Sequence, residues 1–419
     1  MSDSNAGVRS LYIAYFGVGE PLVQTQVIPY LRELVKGGNE MTLLTFESGD
    51  VDEAVIRKEL MEQGIEWHWL RYHKRPSVPA TLFDILNGAR FIRKIGTRKE
   101  VDILHARSHV PMMMAAIARK ISINKPKLLF DIRGFMPEEY VDAGVWPGGG
   151  TIFRGFKRVE NWLMNEADGF IVLTEAARNI LFPGSSGSGR DKFGRPVEVI
   201  PCCVDLDSRF SGERAKVREE VRTKLGVADR TVFTHVGALG GLYLAEEIAD
   251  LLGVARKENE KVFAVFLSQS DPELIVPLLE KRGFTGSDMF VAKVAPAEIE
   301  NYLYASDVGI SFVKASYATQ SRSPTKIPEY LACGLPVIAN RGVGDVDNQL
   351  IEDRTGVIAD DLSERGYAQA IDEVEKLIAE GDALADRCKL SAKTRFDLES
   401  VGGRKYCELY RAITGNRPR

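Results

Sequence analysis

The segment SRSPTKIPEYLACGLPVIANRG, Ser321–Gly342, contains the pattern that decides the fold. The pair Ser323-Pro324 predicts a helix start, because serine is a good N-cap and proline is tolerated at the first helical position. Gly334 predicts a left-handed helix stop, and the apolar run 336–339 after it is typical of a buried parallel strand. A helix that leads directly into such a strand indicates an α/β fold with parallel sheets.

Two charged side chains lie on the first turn of this predicted helix. Lys326 and Glu329 are three residues apart, so both project from one face near the helix N-terminus. A cation, a carboxylate and backbone N–H groups without helical partners together suit a ligand that carries phosphates and hydroxyls. Taken alone, the stretch is equally consistent with an ordinary solvated helix start.

The same stretch resembles the donor-binding signature of the retaining GT-B glycosyltransferases of family four, which has the form S-P-x-K-x-x-E-Y-x-A-x-G-x-P-V. The resemblance implies that Glu329 holds the ribose of a nucleotide sugar and that Lys326 lies near its diphosphate. The segments Pro21–Leu31 (PLVQTQVIPYL) and 130–139 (FDIRGFMPEE) resemble one subgroup of these enzymes. The implied fold is α/β of the GT-B type, with two doubly wound, parallel-sheet, Rossmann-like domains facing across a cleft.

Length and composition agree with a chain of this kind. The 419 residues suffice for two domains, and a formal net charge of -4 argues against a nucleic-acid-binding protein. The five cysteines show no metal-ligand spacing, which favours reduced thiols in a cytoplasmic protein. No signal-peptide pattern is evident, and no apolar run approaches the roughly 18 residues of a membrane span. Any membrane contact is therefore expected to be peripheral.

The chain divides into three predicted parts. Residues 1–210 form an acceptor-binding domain, residues 211–395 a nucleotide-sugar-binding domain, and residues 396–419 a final helix. The hinge is expected in the polar stretch 208–216. The resemblance implies that the final helix crosses back to the first domain.

The first domain opens with a predicted strand, a glycine turn and a helix, the start of a doubly wound unit. The strand is Leu11–Phe16 and the helical pattern extends over about 22–36. The resemblance implies that the turn reaches into the cleft. Gln24 and Gln26, which follow the turn, are polar candidates for the cleft, or else exposed polar residues of the helix. The resulting cleft candidates are Gly17, Gly19, Gln24 and Gln26.

Polar side chains end two further predicted strands of this domain. His105 and Arg107 end one strand, and Asp131 and Arg133 follow the next. Polar groups at the carboxyl ends of parallel strands point to the crevice where open α/β sheets bind ligands. Most members of the resembled family have a histidine where this chain has Asp131. We expect Asp131 to orient groups near the anomeric carbon. To act as a general base, its carboxyl group would need a raised pKa. The catalytic candidates are Asp131, Arg133 and Lys326, and His105, Arg107 and Glu138 complete the acceptor-side candidates.

A glycine loop follows the predicted strand 231–236 of the second domain, and such loops let a phosphate approach backbone N–H groups. Most family members carry an arginine and a lysine in this loop, whereas this chain has neither, so the cations are expected among Arg133, Arg322 and Lys326. Ser321 stands where the family has the first of two glutamates. The donor-binding candidates are Gly237, Gly240, Gly241, Lys293, Val294, Ser321, Arg322, Ser323, Pro324, Thr325, Lys326 and Glu329.

The segment 71–99 is strongly basic. It contains eight lysine or arginine residues and a single acid, Asp84, with large apolar residues between them. A solvated helix face is one interpretation. A contact with an anionic membrane surface or with a lipid diphosphate acceptor is the other.

The predicted function is that of a retaining, metal-independent glycosyltransferase of the hexosyltransferase type. It would use a UDP- or GDP-type nucleotide sugar as substrate, without a cofactor, and a hydroxyl of a glycan or lipid-linked acceptor. Cell-surface polysaccharide or glycoconjugate synthesis, in the cytoplasm or peripherally at the inner face of the membrane, is the expected setting. A non-catalytic nucleotide-sugar-binding subunit and a nucleotide-sugar epimerase are the alternatives.

Overall fold

The computed structural model describes residues 7–210 and 214–415, and the chain divides into two compact units. The first unit comprises Met1–Pro201 and Leu398–Arg419, and the second comprises Cys202–Asp397. The sequence-based boundaries at 210 and 395 differ from these by a few residues. The expected hinge, 208–216, includes residues 211–213, which lie outside the described residues.

The first unit contains a seven-stranded parallel sheet with the order β3-β2-β1-β4-β5-β6-β7. Its central strands are buried, as expected for a parallel sheet with helices on both faces. The strands are β1 Arg9–Ile13, β2 Glu40–Glu47, β3 Ile65–Arg71, β4 Ile103–Arg107, β5 Lys127–Asp131, β6 Gly169–Val172 and β7 Val197–Val199. The helices are α1 Pro21–Gln26, α2 Ile28–Lys36, α3 Glu53–Glu62, α4 Ser77–Lys99, α5 His109–Ile121, α6 Met136–Asp142, α7 Thr151–Glu166 and α8 Glu175–Leu181.

The second unit contains a six-stranded parallel sheet with the order β10-β9-β8-β11-β12-β13. Alternate residues of its strands belong to two separate apolar clusters, so that both faces are covered. The helices are α9 Leu206–Arg209, α10 Arg214–Leu225, α11 Ala245–Glu258, α12 Val276–Glu280, α13 Ile299–Ala305, α14 Lys326–Ala332, α15 Val346–Asp353, α16 Glu364–Ile378 and α17 Asp382–Phe396. The strands are β8 Thr231–Val236, β9 Val262–Leu267, β10 Met289–Ala292, β11 Val308–Ser311, β12 Val337–Asn340 and β13 Gly356–Ala359.

The chain then returns to the first unit. A π-helical turn, Leu398–Gly403, leads into the last helix, α18 Arg404–Thr414. The five cysteines, all within the described residues, are not joined by disulfides. In the part of the chain that the structure describes, the helices are all too short or too polar to cross a membrane.

Two local predictions are wrong in informative ways. The single helix expected over 22–36 is divided into α1 and α2 at Val27. Pro29 lacks the N–H that would continue the hydrogen-bond series, and its ring would crowd the carbonyl of Thr25. Helix α14 begins at Lys326 rather than at Pro324, and the hydroxyl oxygen of Ser323 accepts a hydrogen bond from the backbone N–H of Cys202 instead of capping the helix.

The end of α14 and the following strand are confirmed. Gly334 has φ +74°, and its N–H donates to the carbonyl of Leu331. The N–H of Leu335 donates to the carbonyl of Tyr330, which completes a Schellman stop. Strand β12 follows, fully buried between β11 and β13.

Candidate functional site

The strand register of the first unit brings its polar candidates together. Tyr12 of β1 pairs in register with His105 of β4, and Arg107 of β4 pairs with Asp131 of β5. Because side chains alternate along a strand, these four residues share one face at the carboxyl end of the sheet. Ser108, directly after β4, has φ +73°, a left-handed conformation that is uncommon for serine.

Asp131 is completely buried at the centre of this cluster. The Nε of Arg133 lies 2.8 Å from its Oδ1, the Nε2 of His105 lies 3.5 Å from its Oδ2, and the Nη1 of Arg107 lies 3.8 Å from the same oxygen. Two tyrosines of α18 contact the cluster. The Nη2 of Arg133 donates to the hydroxyl of Tyr406 (2.7 Å), and Tyr410 hydroxyl and His105 Nδ1 are 2.9 Å apart.

The buried carboxylate of Asp131 is compensated by the two guanidinium groups of Arg133 and Arg107. Burial alone would raise the pKa of Asp131, but Arg133, His105 and Arg107 together bring it below its usual range. Burial lowers the pKa of His105 more than Asp131 raises it. A carboxyl group with a lowered pKa is a poor proton acceptor, which is opposite to what a general base at Asp131 would require. The arrangement is suited to holding Arg133 in a fixed orientation.

Of the remaining candidates of the first unit, Gln26 contacts this cluster through its backbone, and the others make different contacts. Gln24 is exposed and its Nε2 donates to the carbonyl of Val18. Gln26 is buried, and its backbone carbonyl accepts from Arg107. Glu138 lies on α6, with Oε1 3.1 Å from the Nζ of Lys157 on α7. The loop candidates are the buried Gly17, whose N–H donates to Glu20, and the exposed Gly19.

Sequence reasoning missed a second buried carboxylate in the first unit. Asp84 of α4 is fully buried, and its oxygens accept from the hydroxyl of Tyr15 (2.7 Å) and from the backbone N–H of His73 (3.0 Å). The Nδ1 of His73 lies 2.6 Å from Asp84 Oδ1. The signal in the sequence was Asp84 itself, the single acid inside a basic segment.

In the second unit, Lys326 is buried at the first position of α14, with 6% of its surface exposed. Its Nζ lies 3.4 Å from the Nε2 of His235 and 4.8 Å above the ring of Tyr243. Among the described residues no carboxylate lies within 4.0 Å of this ammonium group. Burial lowers the pKa of Lys326 to about 7. A buried cation without a carboxylate partner is a strong attractor for an anion.

Glu329 lies one turn further along α14. Its Oε1 is 2.9 Å from the Nη1 of Arg209 on α9, and its side chain is 15% exposed. Burial raises the pKa of Glu329, although Arg209 and Lys326 act in the opposite direction. Sequence reasoning missed Arg209, because its position opposite Glu329 depends on the path of the chain after residue 201.

The glycine loop lies next to Lys326. Gly237, Gly240 and Gly241 have φ values of +109°, +78° and +64°, and a Cβ on Gly237 would come within 3.6 Å of the Lys326 Nζ. The absence of a side chain on Gly237 leaves the backbone beside the ammonium group open to a close approach. Sequence reasoning missed His235, near the end of β8, as a neighbour of Lys326.

The other donor candidates surround the start of α14 or follow β10. Ser321 is buried and its hydroxyl donates to the carbonyl of Ala318 (2.7 Å). Arg322, Ser323 and Pro324 are half-buried and Thr325 is exposed. Lys293 is exposed after the end of β10, and the carbonyl of Val294 accepts from Gln269 Nε2 (3.2 Å).

Comparison with known proteins gives one family and a set of similar structures. Residues 23–208 match the model of Glycosyltransferase Family 4, which is less than half of the chain. No curated protein matches the sequence.

A glycosyltransferase from Rickettsia africae has a TM-score of 0.69 at 18% identity, with 98% of this chain and 100% of that chain covered. Sucrose-phosphate synthase from Thermosynechococcus elongatus has a TM-score of 0.73 at 15% identity, with 98% and 100% covered. HepE from Anabaena, in complex with UDP-glucose, has a TM-score of 0.66 at 16% identity, with 96% and 99% covered.

These likenesses and the two parallel sheets identify the fold. The chain has the GT-B fold, built from two Rossmann-like α/β units, and the predicted fold class is confirmed.

Proposed function

We propose that this protein is a retaining, metal-independent glycosyltransferase that uses a nucleotide-diphosphate sugar of the UDP or GDP type. The single observation that carries the proposal is Lys326, a buried ammonium group without a carboxylate partner, one helical turn from Glu329. The match of residues 23–208 to Glycosyltransferase Family 4 supports the same class of activity. HepE, a protein of the same fold, binds UDP-glucose.

Each group of the second-unit site has a role in donor binding. The ammonium of Lys326 offsets the charge of the diphosphate, and the open backbone of Gly237, Gly240 and Gly241 lets phosphate oxygens approach. Glu329 accepts hydrogen bonds from the ribose hydroxyls, with Arg209 fixing the orientation of its carboxylate. Lys293 and Val294, which follow β10, are the proposed contacts of the nucleobase.

The transfer step follows from these positions and from the retaining class. The bond between the anomeric carbon and the diphosphate oxygen breaks while the acceptor hydroxyl oxygen bonds to the same face of that carbon. The acceptor proton passes to the departing phosphate oxygen. Negative charge grows on the diphosphate during this step, and a preorganised cation such as Lys326 stabilises it by roughly 3–4 kcal/mol. Asp131 contributes by orienting Arg133 rather than by accepting the proton.

The acceptor is proposed here by its chemical class. The proposed acceptor is a hydroxyl of a glycan or of a lipid-linked sugar, as in cell-surface polysaccharide or glycoconjugate synthesis at the cytoplasmic face. Gly17, Gln24, His105 and Arg107 belong to the unit proposed to bind it.

One observation favours a second candidate function. Ser321 stands where the family has its first glutamate, and its hydroxyl is buried and donates to Ala318. Because Ser321 carries no charge and its hydroxyl is buried, it would be a weaker acceptor for the hydroxyls of the donor sugar than a carboxylate. This favours a non-catalytic subunit that binds a nucleotide sugar without turnover.

The test is a thermal-shift screen of nucleoside diphosphates and their sugars, followed by an assay of nucleotide release. We expect one nucleotide to raise the melting temperature of the wild type but not of Glu329→Ala. Glu352→Ala, at an exposed glutamate of α15, is the control and should keep the shift.

Release of the nucleoside diphosphate only in the presence of an acceptor extract supports the transferase. Binding without release supports the non-catalytic subunit, and release with isomerised free sugar but no acceptor supports the epimerase. The absence of any shift contradicts the donor site itself.

A further inference from the structure

Helix α4 exposes a face that is apolar in its first half and basic in its second. Val78, Leu82, Leu86, Arg90 and Lys94 follow one another at every fourth position, so they form one ridge along the helix. Val78 is 68% exposed, Leu82 55% and Leu86 49%. Phe83 (54% exposed) and Arg93 flank this ridge, and we call these seven residues the α4 face.

The opposite side of the helix belongs to the core. Ile85, Ala89, Ile92 and Ile95 are buried in the main apolar cluster of the first unit. The exposed apolar residues are therefore not needed to hold α4 on the sheet. Four large apolar side chains at about half exposure or more, close together on one helix, form a patch of the kind that marks an interaction site.

The charges around this patch all have one sign. Arg71, Lys74 and Arg75 precede the helix and are exposed, as are Arg90, Arg93 and Lys94. In the described part of the chain, none of these six cations forms an ion pair. Asp84, the one acid of the segment, is completely buried and bound to Tyr15 and His73.

This charge pattern is unusual for the protein, because its net charge is -4 and many of its other arginines are paired with carboxylates. Unpaired cations on both sides of an exposed apolar patch are complementary to a surface with an apolar interior and an anionic rim.

We propose that the α4 face docks the protein peripherally on an anionic lipid bilayer. Val78, Leu82, Phe83 and Leu86 enter the boundary between headgroups and acyl chains, and the six cations contact lipid phosphates. An acidic protein partner would satisfy the cations but would not by itself account for the four exposed apolar side chains. The proposal does not depend on the activity proposed above, since it concerns a surface of the first unit alone.

The test uses the full-length protein and sedimentation with vesicles of phosphatidylcholine, with or without 30 mol% phosphatidylglycerol. We expect binding to the anionic vesicles, little binding to the neutral ones, and release in about 0.5 M salt, where screening is several-fold stronger than in a physiological buffer. The triple variant Arg90→Glu, Arg93→Glu, Lys94→Glu should reduce partitioning on the order of a hundredfold. The triple variant Leu82→Ser, Phe83→Ser, Leu86→Ser should also release the protein, although its charges are unchanged.

A matched control exists on α17 of the second unit. Lys389, Leu390 and Lys393 form a small exposed group of the same chemistry, and Lys389→Glu, Leu390→Ser, Lys393→Glu should leave vesicle binding unchanged. All variants change exposed side chains, and an unchanged melting temperature confirms that they fold.

Three results would overturn the proposal. These are no sedimentation with anionic vesicles, equal loss of binding in the control, and capture by a polyanion such as heparin without any vesicle binding. The last result would point to an acidic macromolecule instead. Nucleotide-induced thermal shifts should be the same in all three variants, so that a failed membrane test leaves the donor site unaffected.

Discussion

Lys326 predicts that donor binding is coupled to the uptake of a proton. Burial lowers its pKa to about 7 from an ordinary value of 10.5, so at pH 8 the free protein carries mostly the neutral amine. A bound diphosphate favours the charged form and raises this pKa again. Binding should therefore take up about 0.1 proton at pH 6, about 0.5 at pH 7 and about 0.9 at pH 8.

The direction and the size of the pH dependence of donor affinity follow from the two pKa values of Lys326, about 7 and 10.5. The difference between 10.5 and about 7 corresponds to about 5 kcal/mol, which is the upper limit of what the diphosphate can recover by restoring the charge. Below pH 7 the free protein already carries the charge, so donor affinity should change little there. Above pH 7 affinity should fall as pH rises, by up to about tenfold for each pH unit.

Isothermal titration calorimetry measures this uptake directly. Titrations with UDP-glucose or GDP-mannose in two buffers of different ionisation enthalpy give the number of protons bound at each pH. A nucleotide sugar is preferable to a free nucleoside diphosphate, because its diphosphate does not titrate near neutral pH.

Two variants assign the proton to its residue. Lys326→Met should bind weakly and take up no proton, whereas Glu329→Gln should weaken binding but keep the uptake seen at pH 8. If the wild type binds a nucleotide sugar at pH 8 without proton uptake, Lys326 is not in contact with the diphosphate and the assignment of the donor site is wrong.

Four further predictions concern the ion pairs and the glycine loop. Arg133→Met leaves Asp131 buried without its closest cation, so the free energy of unfolding in urea should fall by about 3–5 kcal/mol, and adding Asp131→Asn should recover part of the loss. The folded-state pKa of Asp131 lies below its ordinary value of 3.8, so the stabilising effect of this carboxylate is complete above about pH 4 and is lost as the pH falls. Asp131→Asn should therefore flatten the dependence of unfolding on acid pH. An unchanged profile would exclude the Asp131 ion pair as the origin of acid unfolding. Arg209→Ala removes the group that opposes the burial effect on Glu329, so nucleotide affinity should fall more at pH 5.5 than at pH 7.5, and equal losses at both pH values would argue against it. Gly237→Ala at φ +109° should lower the free energy of unfolding by about 1–3 kcal/mol, and a melting temperature equal to that of the wild type would contradict the strain argument.

The fold could be predicted from the sequence because its signals are local and repeat along the chain. The stop at Gly334 and the buried run that forms β12 depend on a few neighbouring residues, and both are confirmed. The errors occur where a longer-range contact or an interrupted hydrogen-bond series overrides the local preference. Ser323 binds the backbone of Cys202 instead of capping α14, and Pro29 separates α1 from α2.

The candidate site was predictable as a set of residues but not as a set of contacts. Sequence position placed Lys326 on the first turn of a helix. Its burial depends on His235 and Tyr243, more than 80 positions earlier in the chain. In the first unit, Tyr406 lies 273 positions from Arg133, and no periodicity in the sequence links such distant residues. The sequence therefore shows that the strand ends carry polar side chains. The tertiary structure is needed to show which of these charged side chains have a partner of opposite charge.

The two units treat buried charge in opposite ways, and this difference indicates where an anion would bind. Asp131 is buried, yet Arg133, His105 and Arg107 surround it, so this carboxylate has its counter-charges beside it and the cluster is suited to rigidity. Lys326 is also buried, but its Nζ lies beside the imidazole of His235 and the ring of Tyr243, and no carboxylate of the described residues lies within 4.0 Å of it; burial lowers its pKa. Replacement of the lysine by an apolar residue would remove the cost of burying its charge, so its presence is best explained by a ligand that supplies the missing negative charge. A buried cation interacts more strongly with an anion than an exposed one, so in the proposed donor site Lys326 would compensate for the arginine and lysine that the glycine loop lacks.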